Sequence, residues 1–94
     1  MKKCTMGQLV FTRGVNNRVA DDAIFSKFVL NSLMRYRTCD WGEMSEEDKK
    51  LNDEAIICGD RIFAAYIFPN DGTKIWIITE ADRSATTVLF PDEY

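Results

Sequence analysis

The chain of 94 residues contains no histidine, only two prolines and only three cysteines. Without histidine, Ser-His-Asp triads, Cys-His dyads, His-ligated metals and imidazole acid-base catalysis are all excluded. Cys4, Cys39 and Cys58 are odd in number and widely spaced, which fits neither a disulfide framework nor a zinc ribbon. They are expected to be reduced, buried thiols, and no cofactor or metal is expected. Long apolar runs are missing too: the longest, Ala64 to Phe68 with its neighbours, falls far below the roughly 18 residues of a membrane span. After the basic Met1-Lys2-Lys3, the residues Thr5, Gly7 and Gln8 interrupt the apolar stretch a signal peptide needs, so a cytoplasmic protein without membrane contact is expected. There is no basic excess. A net charge of −3 and a pI near 4.8 disfavour binding that depends on neutralising phosphates, yet are too mild for a nucleic-acid decoy.

What is present suffices for a packed core, with 46% hydrophobic and 12% aromatic residues in a length that suits one domain over residues 1–94. Alternation over Gln8 to Arg13 predicts a first strand, ended by Gly14, with Val15-Asn16-Asn17-Arg18 as a turn. Asp21 or Asp22 then caps a helix from Ala23 to about Arg37, whose inner face is Phe25, Phe28, Val29, Leu33 and Tyr36. Lys27, Asn31 and Arg35 form its solvated stripe. Leu30 and Met34 lie on a flank that the second helix is expected to cover, a partner surface being the sharper alternative. That second helix starts near Ser45 and runs to about Cys58, with Leu51, Ala55 and Cys58 inward and Gly59 as a left-handed stop.

Beyond Gly59 the period changes to two. Arg61 to Phe68, Lys74 to Glu80 and Ser84 to Phe90 read as a meander, its first turn marked by Asp71-Gly72. The expected fold is α+β: strand-helix-helix-strand-strand-strand, an antiparallel sheet of about four strands with two helices on one face. Both alternating sets of Arg61 to Phe68 are apolar, so the pattern leaves open which set meets the helices. A face bearing Trp76, Tyr66 or Phe63 without a helix over it would be an exposed aromatic surface.

Two clusters carry candidate chemistry. Asp40, Glu43, Glu46, Glu47 and Asp48 gather carboxylates at a helix start, where they suit the positive end of the dipole or form an acidic contact patch. Their spacing does not match a calcium loop. Trp41 among them is expected to plug the end of the core. In Glu80-Ala81-Asp82-Arg83-Ser84, Arg83 can recognise a carboxylate or phosphate, or pair locally with Asp82 or Glu80. Cys39, next to Asp40, has no histidine or basic helix terminus to generate a thiolate.

The segments Phe11-Thr12-Arg13-Gly14-Val15, Cys39-Asp40-Trp41-Gly42-Glu43 with Ser45-Glu46-Glu47-Asp48, and above all Lys74 to Thr87 through Pro91-Asp92-Glu93-Tyr94, resemble a family of short "plasmid-related" proteins. These are carried by conjugative elements, plasmids and prophages of Firmicutes. The resemblance brings no catalytic residues with it; it implies an anti-defence context. The expected function is a non-enzymatic inhibitor that binds a host defence complex of CRISPR-Cas or restriction type, in the first instance as an anti-CRISPR protein. Its candidate protein contacts are Asp40, Trp41, Glu43, Glu46, Glu47, Asp82 and Arg83. The alternative is an accessory module for plasmid transfer or regulation that binds another protein or itself as a homodimer. Direct nucleic-acid binding would require a basic stripe from Arg13, Arg18, Lys27, Arg35 and Arg37.

Overall fold

Strand β1 (Gln8–Phe11) leads into helices α1 (Arg13–Asp21), α2 (Ala23–Arg37) and α3 (Glu46–Cys58). Strands β2 (Ile62–Ile67), β3 (Lys74–Thr79) and β4 (Ala85–Leu89) follow, and a 3-10 turn spans Pro91–Glu93. The computed structural model describes residues 5–94, so Met1, Lys2, Lys3 and Cys4, and the expectations placed on them, lie outside the described residues. No described helix is long and apolar enough to cross a membrane.

The capping expected of α2 and α3 is present. The Asp22 carboxylate accepts from the N–H groups of Ile24 and Phe25, both at 3.1 Å, and Ser45 Oγ accepts from Asp48 N–H at 3.1 Å. Gly59 closes α3 at φ +80°, a left-handed angle that glycine adopts without a Cβ penalty.

Helix α1 corrects the turn expected at Val15–Arg18. Asn16 and Asn17 are indifferent helix formers, and tertiary contacts override them: Val15 is fully buried and Val19 packs against the core. The exposed N–H groups of its first turn are served from the far end of the chain. Glu93 accepts from Thr12 Oγ1 at 2.6 Å and from Gly14 N–H at 3.1 Å. Gly14 thus opens a helix and does not end a strand. A Cβ there would stand 2.6 Å from the Glu93 carboxylate.

The sheet order is β1-β4-β3-β2, with β2–β3 and β3–β4 antiparallel but β1–β4 parallel. The expected all-antiparallel sheet with two helices is therefore a mixed sheet with three. Parallel neighbours need a long crossover, usually helical, and the run from α1 to α3 supplies it. The ambiguity over faces resolves into one buried cluster. Ile62, Ala64, Tyr66, Ile75, Ile77 and Val88 from the sheet join Val15, Phe25, Val29, Leu33, Tyr36 and Ala55 from the helices. Beneath them Tyr36 Oη, Thr79 Oγ1 and Thr86 Oγ1 are linked at 2.7 Å each, and Thr86 donates to the Met6 carbonyl at 2.6 Å, which satisfies the buried hydroxyls.

Helix α3 does not cover the flank of α2. Leu30 and Met34 remain 57% and 68% exposed, because α3 is drawn to the edge of β2. There the Asn52 amide donates to the Phe63 carbonyl at 2.7 Å and accepts its N–H at 3.2 Å, replacing a neighbouring strand. This rotation makes Asn52 and Ala55 the inner face and leaves Leu51 and Cys58 exposed, against expectation. Of the cysteines expected to be buried, Cys39 is only half-buried.

Candidate functional site

The residues expected to make contacts fall at the two ends of α3. At its start, Glu46, Glu47 and Asp48 occupy the first turn. The Glu46 side chain is almost fully exposed and lies 3.5 Å from Lys49 Nζ, a pair that contributes little in water. Glu43 is exposed as well, while its N–H joins the Ala65 carbonyl at 2.7 Å and helps seal the β2 edge.

Asp40 and Trp41 have structural duties. Arg35 grips Asp40 with Nε at 2.7 Å and Nη2 at 3.1 Å, and the Gly42 N–H adds a bond at 3.2 Å. The hydrogen bond from Arg35 holds the Asp40 carboxyl below its ordinary range and raises the Arg35 guanidinium in turn. Trp41 is 2% exposed, meets Tyr36 edge-on at 5.3 Å and donates its Nε1–H to Asp53 at 3.1 Å. It closes the end of the core, as its position in the sequence suggested. A side chain so enclosed is not a docking contact.

Arg83 serves the opposite end of α3. Its guanidinium donates to the carbonyls of Asp60 at 2.7 Å, Ala55 at 2.8 Å, Glu80 at 3.1 Å and Ala81 at 3.3 Å. These are main-chain carbonyls, not the carboxylates of Asp82 or Glu80, and the Ala55 carbonyl, in the last turn of the helix, also accepts from the N–H groups of Gly59 at 2.8 Å and Asp60 at 3.1 Å. Asp82 accepts the Ser84 N–H at 2.9 Å, and the bonds from Ser84 hold its carboxyl below the ordinary value. Since α3 spans 13 residues, about 20 Å at 1.5 Å per residue, the acidic start and Asp82-Arg83 form two places, not one.

The face of the sheet turned away from the helices carries a surface that the sequence only hinted at. Phe63 on β2 and Trp76 on β3 meet edge-on at 4.9 Å, and Trp76 meets Tyr94 at 5.6 Å. Arg61 lies over the Tyr94 ring at 5.6 Å and donates to its hydroxyl at 3.1 Å, a bond that raises the guanidinium pKa. Two clefts meet at Arg61. One of about 310 Å³ runs past Met44, Asp48, Leu51 and Phe63, and one of about 240 Å³ runs under Tyr94 over Ile78 and Leu89. Phe63 and Trp76 are half-buried, while Tyr94 is 70% exposed. The signal for this surface was the double apolar alternation of β2. Tyr94 lies beyond the last strand and carried no periodicity to place it on this face.

A cavity of about 740 Å³ lies between α1, the β2–β3 turn and Phe90–Asp92. Its central cation, Arg18, is already engaged: it binds Asp71 at 2.7 Å and Thr73 at 3.0 Å, and stacks on Phe25 at 4.4 Å. With Arg18 and Arg35 both matched to carboxylates, the basic stripe that nucleic-acid binding would need is interrupted. Among the described residues no group of three or more Cys, Asp or Glu side chains is placed to hold a metal ion.

No protein-family model matches the chain, and no curated protein or solved structure does so.

Proposed function

We propose that this chain is a non-enzymatic inhibitor of a mobile genetic element that docks on a host defence nuclease complex, in the first instance as an anti-CRISPR protein. The observation that carries the reading is the aromatic row Phe63, Trp76 and Tyr94 with Arg61, on the sheet face opposite the helices, with Met44 in the cleft that joins Phe63 to α3. Aromatic, Arg and Met side chains are the types enriched where proteins bind proteins, because they desolvate large areas while keeping a polar handle. The acidic start of α3 borders this row through Asp48 and Met44. Carboxylates at such a rim steer encounter with a basic partner, while the aromatic centre supplies the affinity. Trp41, Asp40 and Arg83 are positioning residues in this scheme. The contacts are Glu43, Glu46 and Glu47 at the rim and Arg61 and Tyr94 at the centre.

Protection of a phage or plasmid in hosts carrying defined CRISPR-Cas or restriction systems, with binding kinetics on the complex that is blocked, tests the reading. Tyr94→Ala with Arg61→Glu should abolish protection and speed dissociation. Glu46→Lys with Glu47→Lys should slow association and weaken its salt dependence. The reversal also opposes the helix dipole at roughly 0.3 to 1 kcal/mol per site, so melting is measured beside it. Folded variants that protect as well as the wild type, with unchanged kinetics, would overturn the assignment. A wild-type chain that protects against none of the systems would leave the accessory-module reading in its place.

A further inference from the structure

We propose that the chain self-associates by laying the outward face of α2 against the outward face of α3 of a second copy. The inference goes beyond the inhibitor reading and does not rest on it.

On α2 the positions Lys27, Leu30, Met34 and Arg37 follow one another at intervals of three and four and so share one face. A single exposed Leu needs no explanation. Here two adjacent apolar side chains, both more than half exposed, are framed by a cation one turn away on each side. Helix α2 contains no carboxylate. Its third cation, Arg35, is matched to Asp40, whereas Lys27 and Arg37 have no ion-pair partner among the described residues.

Helix α3 presents the complement. Glu47, Leu51 and Glu54 share its outward face, so an exposed Leu stands between two carboxylates that likewise have no ion-pair partner among the described residues. Ile57, 82% exposed and one turn beyond Glu54, extends the apolar surface, and Lys50 stands one turn from both Glu47 and Glu54. Seating Leu51 between Leu30 and Met34 carries Glu47 and Glu54 toward Lys27 and Arg37. The two charge frames span about 10 and about 15 Å along their axes, a difference that flexible Lys and Arg side chains bridge. A second copy is the chosen occupant because the matching acidic, apolar helix is part of this same chain. With α2 on α3 and α3 on α2, the contact is made twice about a two-fold axis and closes as a dimer.

Sedimentation of the purified chain over a wide concentration series tests this without any host partner, so it fails independently of the inhibitor reading. The wild type should form a dimer that weakens as salt rises. Lys27→Glu with Arg37→Glu, and separately Glu47→Lys with Glu54→Lys, should each weaken dimerisation by roughly tenfold or more through like-charge contacts. An equimolar mixture of the two variants should form a heterodimer, since reversed α2 then meets reversed α3 while the native pair stays native. Circular dichroism melts check that each variant is folded. A monomeric wild type overturns the proposal, as does either folded variant dimerising like the wild type, or a mixture of folded variants that stays monomeric.

Discussion

Helix α2 buries Phe25, Val29, Leu33 and Tyr36 along one stripe, whereas α3 buries only Asn52 and Ala55 and is fastened by polar bonds. Those bonds are the Asn52 amide on the Phe63 main chain, Trp41 on Asp53, and Arg83 on the Ala55 carbonyl. An apolar stripe adheres to any apolar sheet and tolerates small shifts. A side-chain amide paired with one strand residue holds at a single register, because the geometry of both hydrogen bonds must be met together. The comparison explains why α3 sits at the β2 edge although little apolar surface draws it there. It also explains why Leu51 and Ile57 stay in solvent.

The sharpest way to break the comparison is to remove a member of the α2 stripe. Phe25 packs on Phe68 at 5.3 Å, Phe28 at 5.7 Å and Phe90 at 6.0 Å, and it lies fully buried. Phe25→Ala should cost about 3 to 5 kcal/mol in urea denaturation. Phe28→Ala should cost less, because that ring is only half-buried.

Removing the Asn52 amide should cost less than Phe25 but act locally. Asn52→Ala leaves the Phe63 N–H and C=O without their partners, for a loss of about 1 to 3 kcal/mol. Hydrogen exchange should quicken first in α3 and at the Phe63 amide. A loss as large as that of Phe25→Ala, spread over the whole sheet, would show that α3 is held as α2 is.

A smaller effect is expected at the cap. Ser45→Ala removes the bond to the Asp48 N–H and should cost about 1 kcal/mol, read as a lower melting temperature without a change in β-sheet signal.

The smallest concerns the polar fastening of the β2–β3 turn. Hydrogen bonds from the Thr73 hydroxyl and N–H, and then Arg18, hold the Asp71 carboxyl at about 2 against an ordinary value of 3.8. A carboxyl depressed in the folded state stabilises it above the unfolded pKa, and that contribution is lost as pH falls through the folded one. The melting temperatures of wild type and Asp71→Asn should therefore differ above pH 3.8 and converge toward pH 2. A gap that stays constant over that window would mean the turn does not depend on the Asp71 charge.

Much of this was legible along the chain. The stripe of α2, the caps Asp22 and Ser45, the Gly59 stop, the Asp71-Gly72 turn and the three-strand meander are local patterns, each decided by residues a few positions apart. The inner face of α3 was not, because periodicity ranks Leu51 above Asn52 and cannot see that a strand edge offers Asn52 two main-chain partners. The candidate site divided along the same line. The acidic start of α3 and the packing role of Trp41 announced themselves, while Asp40 and Arg83 could be assigned to local fastening only once their partners, Arg35 and the Ala55 carbonyl, stood beside them.

By itself the sequence determined the composition of the core, the type of most elements, the charge of each helix and the absence of imidazole chemistry, because these depend on residue identity and on periods shorter than two turns. Only the tertiary structure decided that Asn16-Asn17 sits in a helix, that β1 runs parallel to β4, and that Phe63, Trp76 and Tyr94 share one face. Each of those outcomes depends on partners far apart in the chain. Glu93 caps α1 from the opposite end, a three-helix crossover sets the direction of β2, and Tyr94 returns to β3. Contacts of that separation leave no period to read, since their free energy is gained only when the chain has closed around them.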